Sequence, residues 1–507
     1  MYLNFGHESS RNTQFDTTSA RPVCSAGLQR RVDTVGPGPY CKRVIYEHLF
    51  RRAGDKPVRV SLIGTGDYGV SLLVSLRRIS RTVVTVVCDR SLDAARAACR
   101  AAGVASDQVV ECSSASQVED AVARGAIALV EDAMIAIHGP CDVVVECTGA
   151  PEAGAVHAMA AIDAHRHVAM VNKETDGIVG PILARRAAEA GVVYTPVDGD
   201  QHGLLTGLVM WAQTLGLRII SGGKARETDF VYDDRTGTVG YGRKQIELGA
   251  RAAEILAPIA AGEHVTERVG ARRDAMIGLP FVMPADLCEM AIAANHTGLL
   301  PDRPELWAPV LRTNEVPGVF CTRADGGIFD REGRIDVFGC LRRADEAGQM
   351  GGEFIVVAVE DAATRDFLGR KGLVMNTTGT AAMIYRPLHL LGAETAISIL
   401  CAALLGIPTG ATDVTPRVDL VGRARRAIAP GTMLGPETIH TGELLEPLLV
   451  PAKPIAGSNP APLYLAQSCE IIRPLAAGTV VTIADIGEPS ASRLWELRRE
   501  QDRAFLG

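Results

Sequence analysis

The chain has 507 residues, of which 47% are hydrophobic and 22% charged, and its formal net charge is -7. This length exceeds what one hydrophobic core serves, so we expect two to four domains. The acidic balance argues against a nucleic-acid-binding surface, and no apolar run reaches the roughly 18 residues of a membrane-spanning helix. The twelve cysteines form no C-x-x-C pair, which indicates free thiols in a cytoplasmic protein.

The first forty residues have neither the basic start nor the apolar core of a secretory signal. We expect a disordered leader over residues 1–40 and assign it no function. The pattern from Cys41 to Ala53 predicts a helix, which opens the first folded domain.

An apolar run that begins at Val58 leads directly into the pattern G-x-G-x-x-G, formed by Gly64, Gly66 and Gly69. The spacing predicts a strand, a tight turn, a helix and a second strand that ends at Asp89. In such a unit Gly64 permits the turn, Gly66 lets a pyrophosphate approach the backbone, and Gly69 lets helix and strand pack closely. The unit therefore predicts dinucleotide binding, and a purely structural turn is the alternative.

Two charged residues bear on the choice of dinucleotide. Asp89 can accept a hydrogen bond from a free ribose hydroxyl, which suits NAD, while the adjacent Arg90 can hold the 2′-phosphate of NADP. Both cofactors stay open. Asp67 places a carboxylate beside the phosphate site, where it is repulsive unless it points to solvent.

The alternation of strands and helices continues beyond the glycine turn. A strand over 142–147 leads to Thr148 and Gly149, and a strand from His167 ends at Asn172 and Lys173. Repeated units of this size predict a Rossmann-type α/β domain over 41–175, a doubly wound parallel sheet with helices on both faces. Ligands of such sheets bind at the carboxyl ends of the strands, so we expect Thr148, Gly149 and Lys173 at the site.

The region 176–412 has a mixed α+β pattern and several charged candidates. Asp198 and Asp200 bracket a glycine before a helix. This pattern indicates either a pair of acid/base residues or an ordinary turn with a helix cap. Lys224 follows two glycines after a predicted strand, which suits an anionic ligand or an ordinary loop. Asp286 and Glu289 share one helix face, where a solvated surface is the plain alternative. No zinc-type histidine spacing occurs.

The tail separates from this region. Ile428-Ala-Pro-Gly431-Thr resembles Leu475-Ala-Ala-Gly478-Thr at an offset of 47 residues. Two copies predict a compact β domain over 413–490 with pseudo-twofold symmetry and its own core, followed by a C-terminal helix or tail over 491–507.

Residues 57–230 resemble the homoserine dehydrogenase class of oxidoreductases, through the glycine turn, Thr148-Gly149 and Asn172-Lys173. Over about 57–490 the chain is similar to a family that joins such a domain to a C-terminal SAF domain and includes the 1-deoxy-D-xylulose 5-phosphate reductoisomerase-like enzymes. The motifs that support the second resemblance are Val171-Asn-Lys-Glu-Thr-Asp176, Asp198-Gly-Asp-Gln201, Gly223-Lys224, Tyr385-Arg-Pro, His389-Leu, Glu394 and Ser398.

The resemblance implies that Lys173 and Lys224 lie at the reacting oxygen, with Asp198 nearby as the acid/base; Asp200 is a further catalytic candidate from its pairing with Asp198. It implies a catalytic and dimerisation domain over 176–412, hence a homo-oligomer, and a divalent cation at Asp198, Asp200 or Glu289 if the reaction is a reductoisomerisation. His202 stands where such proteins commonly have proline. The implied substrate-binding residues are Glu174, Gln201, His202, Glu289, Arg386 and His389.

These observations together predict an NAD(P)-dependent oxidoreductase acting on a small polyol, hydroxy acid or sugar phosphate. The alternative is a non-redox sensor or scaffold that keeps the fold and binds the cofactor, and Asp67 is the residue that favours it.

Overall fold

The computed structural model describes residues 45–259, 261–262, 264–281 and 283–507. Two compact units divide the chain, residues 1–49 and 50–507, and the described part of the first is only the start of helix α1 (Ile45–Arg52). The leader expected over 1–40 lies outside the described residues. Within the described ranges no helix is long and apolar enough to cross a membrane.

A seven-stranded, wholly parallel sheet forms the first half of the larger unit. Its order is β3-β4-β2-β1-β5-β6-β7. The first four strands of the chain lie on one side of the boundary between β1 and β5, and the last three lie on the other side, so the chain crosses this boundary after β4. Parallel sheets bind ligands outside the carboxyl ends of their strands at such a crossing. The strands are β1 Val58–Ile63, β2 Thr82–Cys88, β3 Val109–Glu111, β4 Ile127–Val130, β5 Val143–Glu146, β6 His167–Met170 and β7 Tyr194–Pro196.

Helices cover both faces of this sheet, which confirms the predicted doubly wound Rossmann-type fold. The side chains of Val60 and Leu62 pack with α2 and α3 on one face, and Ile63 packs with α4 to α7 on the other. The sheet also continues past residue 175, the boundary expected from the sequence, because α7 and β7 complete it. The helices are α2 Asp67–Leu76, α3 Leu92–Ala101, α4 Ala115–Ala123, α5 Ala133–His138, α6 Pro151–Asp163 and α7 Lys173–Glu189.

A second, mixed sheet follows, as the α+β pattern predicts. Its centre is β14, which runs parallel to β8, and β8 in turn pairs antiparallel with β15. The strands are β8 Ile219–Ala225, β9 Phe230–Asp233, β10 Thr238–Tyr241, β11 Lys244–Glu247, β12 Leu300–Pro301, β13 Val310–Leu311, β14 Arg334–Arg343, β15 Glu353–Ala358, β16 Val374–Met375 and β17 Ala381–Tyr385.

The helices of this region connect the two sheets. Helix α11 is the central one, since it packs on both α7 and α8 and buries nearly all of its residues. The helices are α8 Gln201–Thr214, α9 Ala252–Leu256, α10 Val265–Ala275, α11 Pro284–Thr297, α12 Val316–Val319, α13 Ala362–Arg370 and α14 Thr395–Leu400.

The tail has the internal repeat that the sequence indicates. Its elements are β18 (Val418–Ala424), α15 (Pro436–Thr441), β19 (Leu445–Pro451) and α16 (Arg493–Phe505). Ile428 and Leu475, which occupy equivalent positions of the two copies, exchange backbone hydrogen bonds of 2.9 and 3.0 Å. Gly431 and Gly478 both adopt a positive φ, of +88° and +84°. Equivalent residues therefore meet across a local twofold axis.

The buried apolar residues of the tail are continuous with those of the rest of the unit, whereas the sequence predicts a domain with a core of its own. Leu420 and Leu445 belong to the same buried apolar cluster as Ile178 of α7 and Leu287 of α11. Helix α16 packs on α6 and α7, and its Arg498 also forms a buried ion pair with Asp419 of β18 at 2.7 Å. The repeat specifies a local symmetry, but its two strands are too few to enclose an apolar interior without α7 and α11.

Candidate active site

The glycine turn between β1 and α2 has the geometry that a dinucleotide phosphate needs. Gly64 has a φ of +98°, and a Cβ there would lie 2.7 Å from the backbone of Cys147. A Cβ on Gly69 would lie 2.3 Å from the carbonyl oxygen of Gly64, so helix and turn touch. A Cβ on Gly66, in contrast, would meet nothing within 4 Å. The open backbone at Gly66 is the place where a pyrophosphate can approach.

Helix α2 presents its N-terminus to this opening. Gly66 is its N-cap, and among the described residues no side chain accepts a hydrogen bond at that cap. The free N–H groups and the positive end of the helix dipole suit a phosphate. The side chain of Asp67 in the first turn is exposed, so water screens its charge. The turn thus fits the cofactor that its sequence predicts.

Asp89 lies beside the turn with its carboxylate already oriented. Its Oδ2 accepts hydrogen bonds from the backbone N–H (3.0 Å) and the hydroxyl (2.6 Å) of Thr65, and its Oδ1 accepts from the N–H of Ser91 (3.0 Å). Burial opposes the charge, but these hydrogen bonds leave the pKa of Asp89 below its usual value. An ionised carboxylate here suits a ribose hydroxyl, and the exposed Arg90 next to it suits a 2′-phosphate.

A polar network fixes the turn after β5. The hydroxyl of Thr148 donates to the buried carboxylate of Glu146 (2.6 Å) and accepts from the amide of Asn172 (3.2 Å). His157 lies 3.1 Å from the same Glu146 carboxylate. Gly149 follows with a φ of +65°. Two neighbouring strand ends, those of β5 and β6, are thereby held together.

A cavity of about 200 Å³ opens at these strand ends. It brings Gly149, on the cofactor side, together with Lys173 and with residues of the middle region. Six of the residues predicted for the site line this cavity, and Lys224, Gln201 and Thr148 form hydrogen bonds with residues that line it. The lining residues are Tyr68, Cys147, Gly149, Val171, Asn172, Lys173, Glu174, Asp200, Glu227, Glu289, His389 and Leu391.

Two lysines share one carboxylate at the base of the cavity. Lys173 Nζ and Lys224 Nζ each donate a hydrogen bond to Glu289, and Lys224 Nζ also lies 2.9 Å from Asp286 Oδ1. Lys224 donates to the amide oxygen of Gln201 as well. The side chain of Lys224 is 1% exposed and that of Lys173 is 22% exposed. Only Lys173 can therefore reach a substrate, and Lys224 supports it through Glu289.

The charges of this cluster stabilise each other. Burial disfavours every one of the charged forms, but Glu289 and Asp200 raise the pKa of Lys173 well above its usual value. Asp286 and Glu289 likewise raise the pKa of Lys224. Lys173 lowers the pKa of Asp200 to about 2 and that of Glu289 below its usual range. All these groups are ionised near neutral pH, so none of them exchanges a proton readily there.

Glu174 is the exception among the acids that line the cavity. It is buried at the start of α7, and this burial raises its pKa to about 7 although Lys173 acts in the opposite direction. A carboxyl group that titrates near neutrality can act as a general acid or base. The sequence pattern placed Glu174 only among the substrate-binding residues.

Asp198 is not at the lysines, where the resemblance placed it. Gly199, with a φ of +95°, turns the chain between the two aspartates, so Asp200 faces Lys173 and caps α8. The backbone of Asp198 is bound by Ser398 (2.8 Å) and Thr395 (2.8 Å). Burial, and then the charge of Glu394, raise the pKa of Asp198 to about 6.

Two further predicted residues lie away from the cavity lining. The ring of His202 is fully buried beside Asp200, with 3.7 Å between Nδ1 and Oδ1, and no described residue hydrogen-bonds to its ring nitrogens. The guanidinium of Arg386 pairs with Glu394 at 3.0 Å. His389 does line the cavity, and its Nδ1 lies 2.8 Å from the carbonyl oxygen of Gly351.

The three carboxylates suggested for a divalent cation are not gathered in a cation site. Within the described residues no group of three or more histidines, cysteines, aspartates or glutamates could hold a metal ion. Glu289 is bound by two lysines, Asp200 faces Lys173, and Asp198 lies near Glu394.

Several site residues were missed or undervalued. Tyr68 occupies a variable position of the glycine pattern, and its hydroxyl forms a 2.6 Å hydrogen bond with Thr395. Asp286 shares a helix face with Glu289, but that face is buried against the lysines and is not solvated. The tail also comes closer than expected, since burial and then the charge of Lys173 lower the pKa of His440. Only the i, i+3 spacing of the two acids could have indicated their joint role.

A family model described as the catalytic domain of the oxidoreductase DRL matches residues 285–395. This segment contains Asp286, Glu289, His389 and Glu394. No curated protein matches the chain.

Three solved structures show weak likeness to the chain. The WlbA dehydrogenase of Bordetella pertussis, in complex with NADH and UDP-GlcNAcA, is 18% identical over 36% of this chain and 49% of its own, with a TM-score of 0.25. The myo-inositol dehydrogenase of Lactobacillus casei is 15% identical over 36% and 49%, with a TM-score of 0.25. The 1-deoxy-D-xylulose 5-phosphate reductoisomerase of Zymomonas mobilis is 16% identical over 47% and 58%, with a TM-score of 0.28. The match thus spans about half the length of the first two.

Proposed function

We propose that the chain is an NAD(P)-dependent oxidoreductase that interconverts an alcohol and a carbonyl group in a small polyol, hydroxy acid or sugar phosphate. One observation carries this proposal: a single cavity joins the strand ends next to the open glycine turn with the exposed end of Lys173. The match of residues 285–395 to an oxidoreductase catalytic domain supports it. The charged side chains of the lining, among them Lys173, Glu174 and Asp200, suit a substrate that carries hydroxyl groups.

The cavity residues divide the chemistry between them. When bound, the nicotinamide supplies or accepts the hydride at the substrate carbon. The ammonium group of Lys173 donates a hydrogen bond to the substrate oxygen and stabilises negative charge that develops on it. Glu174 takes the hydroxyl proton when the alcohol is oxidised and returns it when the carbonyl is reduced. This replaces the acid/base role that the resemblance gave to Asp198 and Lys224.

A reductoisomerase would in addition shift a carbon, and a divalent cation bridging adjacent oxygens would promote that step. The candidate cation ligands Asp200 and Glu289 are neutralised by lysines, so their arrangement favours plain oxidoreduction. For the tail, the twofold pairing of Ile428 with Leu475 supports the SAF-type assignment.

The proposal is tested by titrating the protein with NADH and NADPH and following cofactor fluorescence, and then by screening polyols, hydroxy acids and sugar phosphates for cofactor turnover. Lys173→Met should lower turnover about 10²-fold or more, the scale of a lost catalytic hydrogen bond, with cofactor affinity retained. Lys244→Met, on the exposed strand β11, is the matched control. Failure of both cofactors to bind contradicts the proposal, whereas binding without turnover of any substrate favours the sensor or scaffold.

A further inference from the structure

A second cavity lies away from the catalytic one, where the middle region meets the tail. Its volume is about 420 Å³, roughly twice that of the catalytic cavity, and the two share no lining residue. The loop around β12 and residues 331–334 form one side, and Arg417, Val418 and Leu449 of the tail form the other. The two sides are joined by the backbone hydrogen bond from Leu449 to Pro304, of 2.8 Å.

Four arginines line this cavity, and two of them are committed to acids. Arg334 pairs with Asp330 at 2.5 Å and with Asp302 at 3.3 Å, and Arg303 pairs with Glu305 at 3.7 Å. The carboxylate of Asp302 also accepts a hydrogen bond from the Trp307 indole at 2.9 Å. The lining acid is therefore already neutralised and does not offset further positive charge.

The other two arginines, Arg331 and Arg417, are exposed. Over the described part of the chain, neither guanidinium has a side-chain hydrogen bond or an ion pair. Both guanidinium groups line the same cavity, and Arg331 also interacts at longer range with the charge of Asp330. Without an ion pair among the described residues, both can bind an anionic group. Their combined charge matches that of a phosphate monoester, which carries about −1.5 to −2 near neutral pH.

The remaining walls are apolar and rigid. They are formed by Leu300, Pro301, Pro304, Val418, Leu449 and Pro451. Prolines lose little conformational entropy when they contact a ligand, because their φ is fixed. Such walls suit the organic body of a ligand better than a hydrated inorganic ion.

We propose that this cavity is a second ligand site, specific for a small phosphomonoester whose phosphate binds Arg331 and Arg417 and whose organic body packs on the proline walls. The planar guanidinium fork matches phosphate oxygens in a bidentate manner. Because the ligand contacts both the middle region and the tail, it holds them together and stabilises the folded chain.

The test uses phenyl phosphate as the probe and isothermal titration calorimetry on the full chain saturated with reduced cofactor, which occupies the glycine turn. Wild-type protein should bind phenyl phosphate more tightly than inorganic phosphate, and its thermal midpoint should rise with the probe. Arg331→Ala/Arg417→Ala should weaken phenyl phosphate binding at least tenfold, and Arg331→Lys/Arg417→Lys should weaken it less. The matched control is Arg426→Ala/Arg473→Ala, which removes two exposed arginines of the tail and should leave binding unchanged.

Equal binding to the two double alanine variants, or equal affinities for phenyl phosphate and inorganic phosphate, would overturn the proposal. Circular dichroism shows whether each variant is folded, and the lysine variant keeps the test decisive if the alanine variant is not. If phenyl phosphate does not bind and Arg331→Ala/Arg417→Ala alone lowers the mass in sedimentation, the face is a contact between two copies of the chain, which also overturns the proposal.

Discussion

The two sides of the candidate-site cavity are built in different ways. On the cofactor side, the glycine turn is formed by backbone within a few residues, and a Cβ at its central position, Gly66, would meet nothing within 4 Å. On the lysine side, Glu289 is bound by Lys173, 116 positions away, and by Lys224, 65 positions away, all three side chains being packed against their neighbours. The first side is open and local, so a change there affects the ligand. The second is closed and long-range, so a change there affects the fold.

The largest effect is expected from ending the chain after residue 410. The tail supplies Leu420 and Leu445 to the common core, so the truncated chain would expose apolar faces of α7 and α11. We expect loss of soluble, folded protein, measured as soluble yield and by circular dichroism. Deletion of residues 1–40 is the control and should leave the fold intact. A soluble truncated chain that still binds NADH or NADPH would contradict this expectation, because it would show that the remaining residues fold without the tail.

Glu289→Gln should have the next largest effect. It removes the carboxylate that Lys173 shares with the buried Lys224, and breaking a buried ion pair costs about 3–5 kcal/mol. The free energy of unfolding in urea measures this loss. Glu227→Gln changes an exposed acid of the same cavity and should alter stability by less than about 0.5 kcal/mol. Similar stabilities of the two variants would contradict the charge compensation described here.

Two substitutions in the glycine turn should separate an effect on cofactor binding from an effect on stability. Gly66→Val should abolish cofactor binding and barely change the thermal midpoint of the unliganded protein, because Gly66 has an extended backbone (φ −66°) and free space around it. Gly69→Ala should lower that midpoint, because its Cβ would lie 2.3 Å from the Gly64 carbonyl oxygen. Fluorescence titration and calorimetry separate the two effects. Retained affinity in Gly66→Val would mean that the turn is only structural.

The smallest effect concerns pH. The pKa of Glu174 is raised in the folded chain from 4.5 to about 7, so its contribution to stability is fully present below pH 4.5 and is lost as the pH rises towards 7. Catalysis should follow the same group: kcat/KM for alcohol oxidation should rise with an apparent pKa of about 7. Glu174→Gln should remove that limb of the profile, whereas Asp198→Asn should retain it. If instead Asp198→Asn removes that limb and Glu174→Gln retains it, Asp198 is the group that transfers the proton.

The features that could be predicted from the sequence depend on the geometry of short segments. The glycine turn, the strand ends at Gly149 and Lys173, and the twofold pairing of Ile428 with Leu475 all depend on spacing within one segment. The different surroundings of Asp198 and Asp200 could not be predicted, because they depend on the backbone turn at Gly199 and on contacts with the distant Ser398 and Thr395. The shared core of the tail escaped prediction for the same reason, since its partners lie in α7 and α11.

The proline inside α7 has a consequence for the order in which the chain completes its packing. Pro181 interrupts this helix, and the side chain of Gln501 completes the hydrogen bonding around it, by donating to the carbonyl oxygen of Ile178 and accepting from the N–H of Ile182. Gln501 is translated 319 positions after Ile182, which takes roughly 16–64 s at a ribosomal rate of about 5–20 residues per second. During that interval the segment of α7 around Pro181 lacks this hydrogen-bonding partner, so we expect α7 to reach its final packing only after α16 has been made.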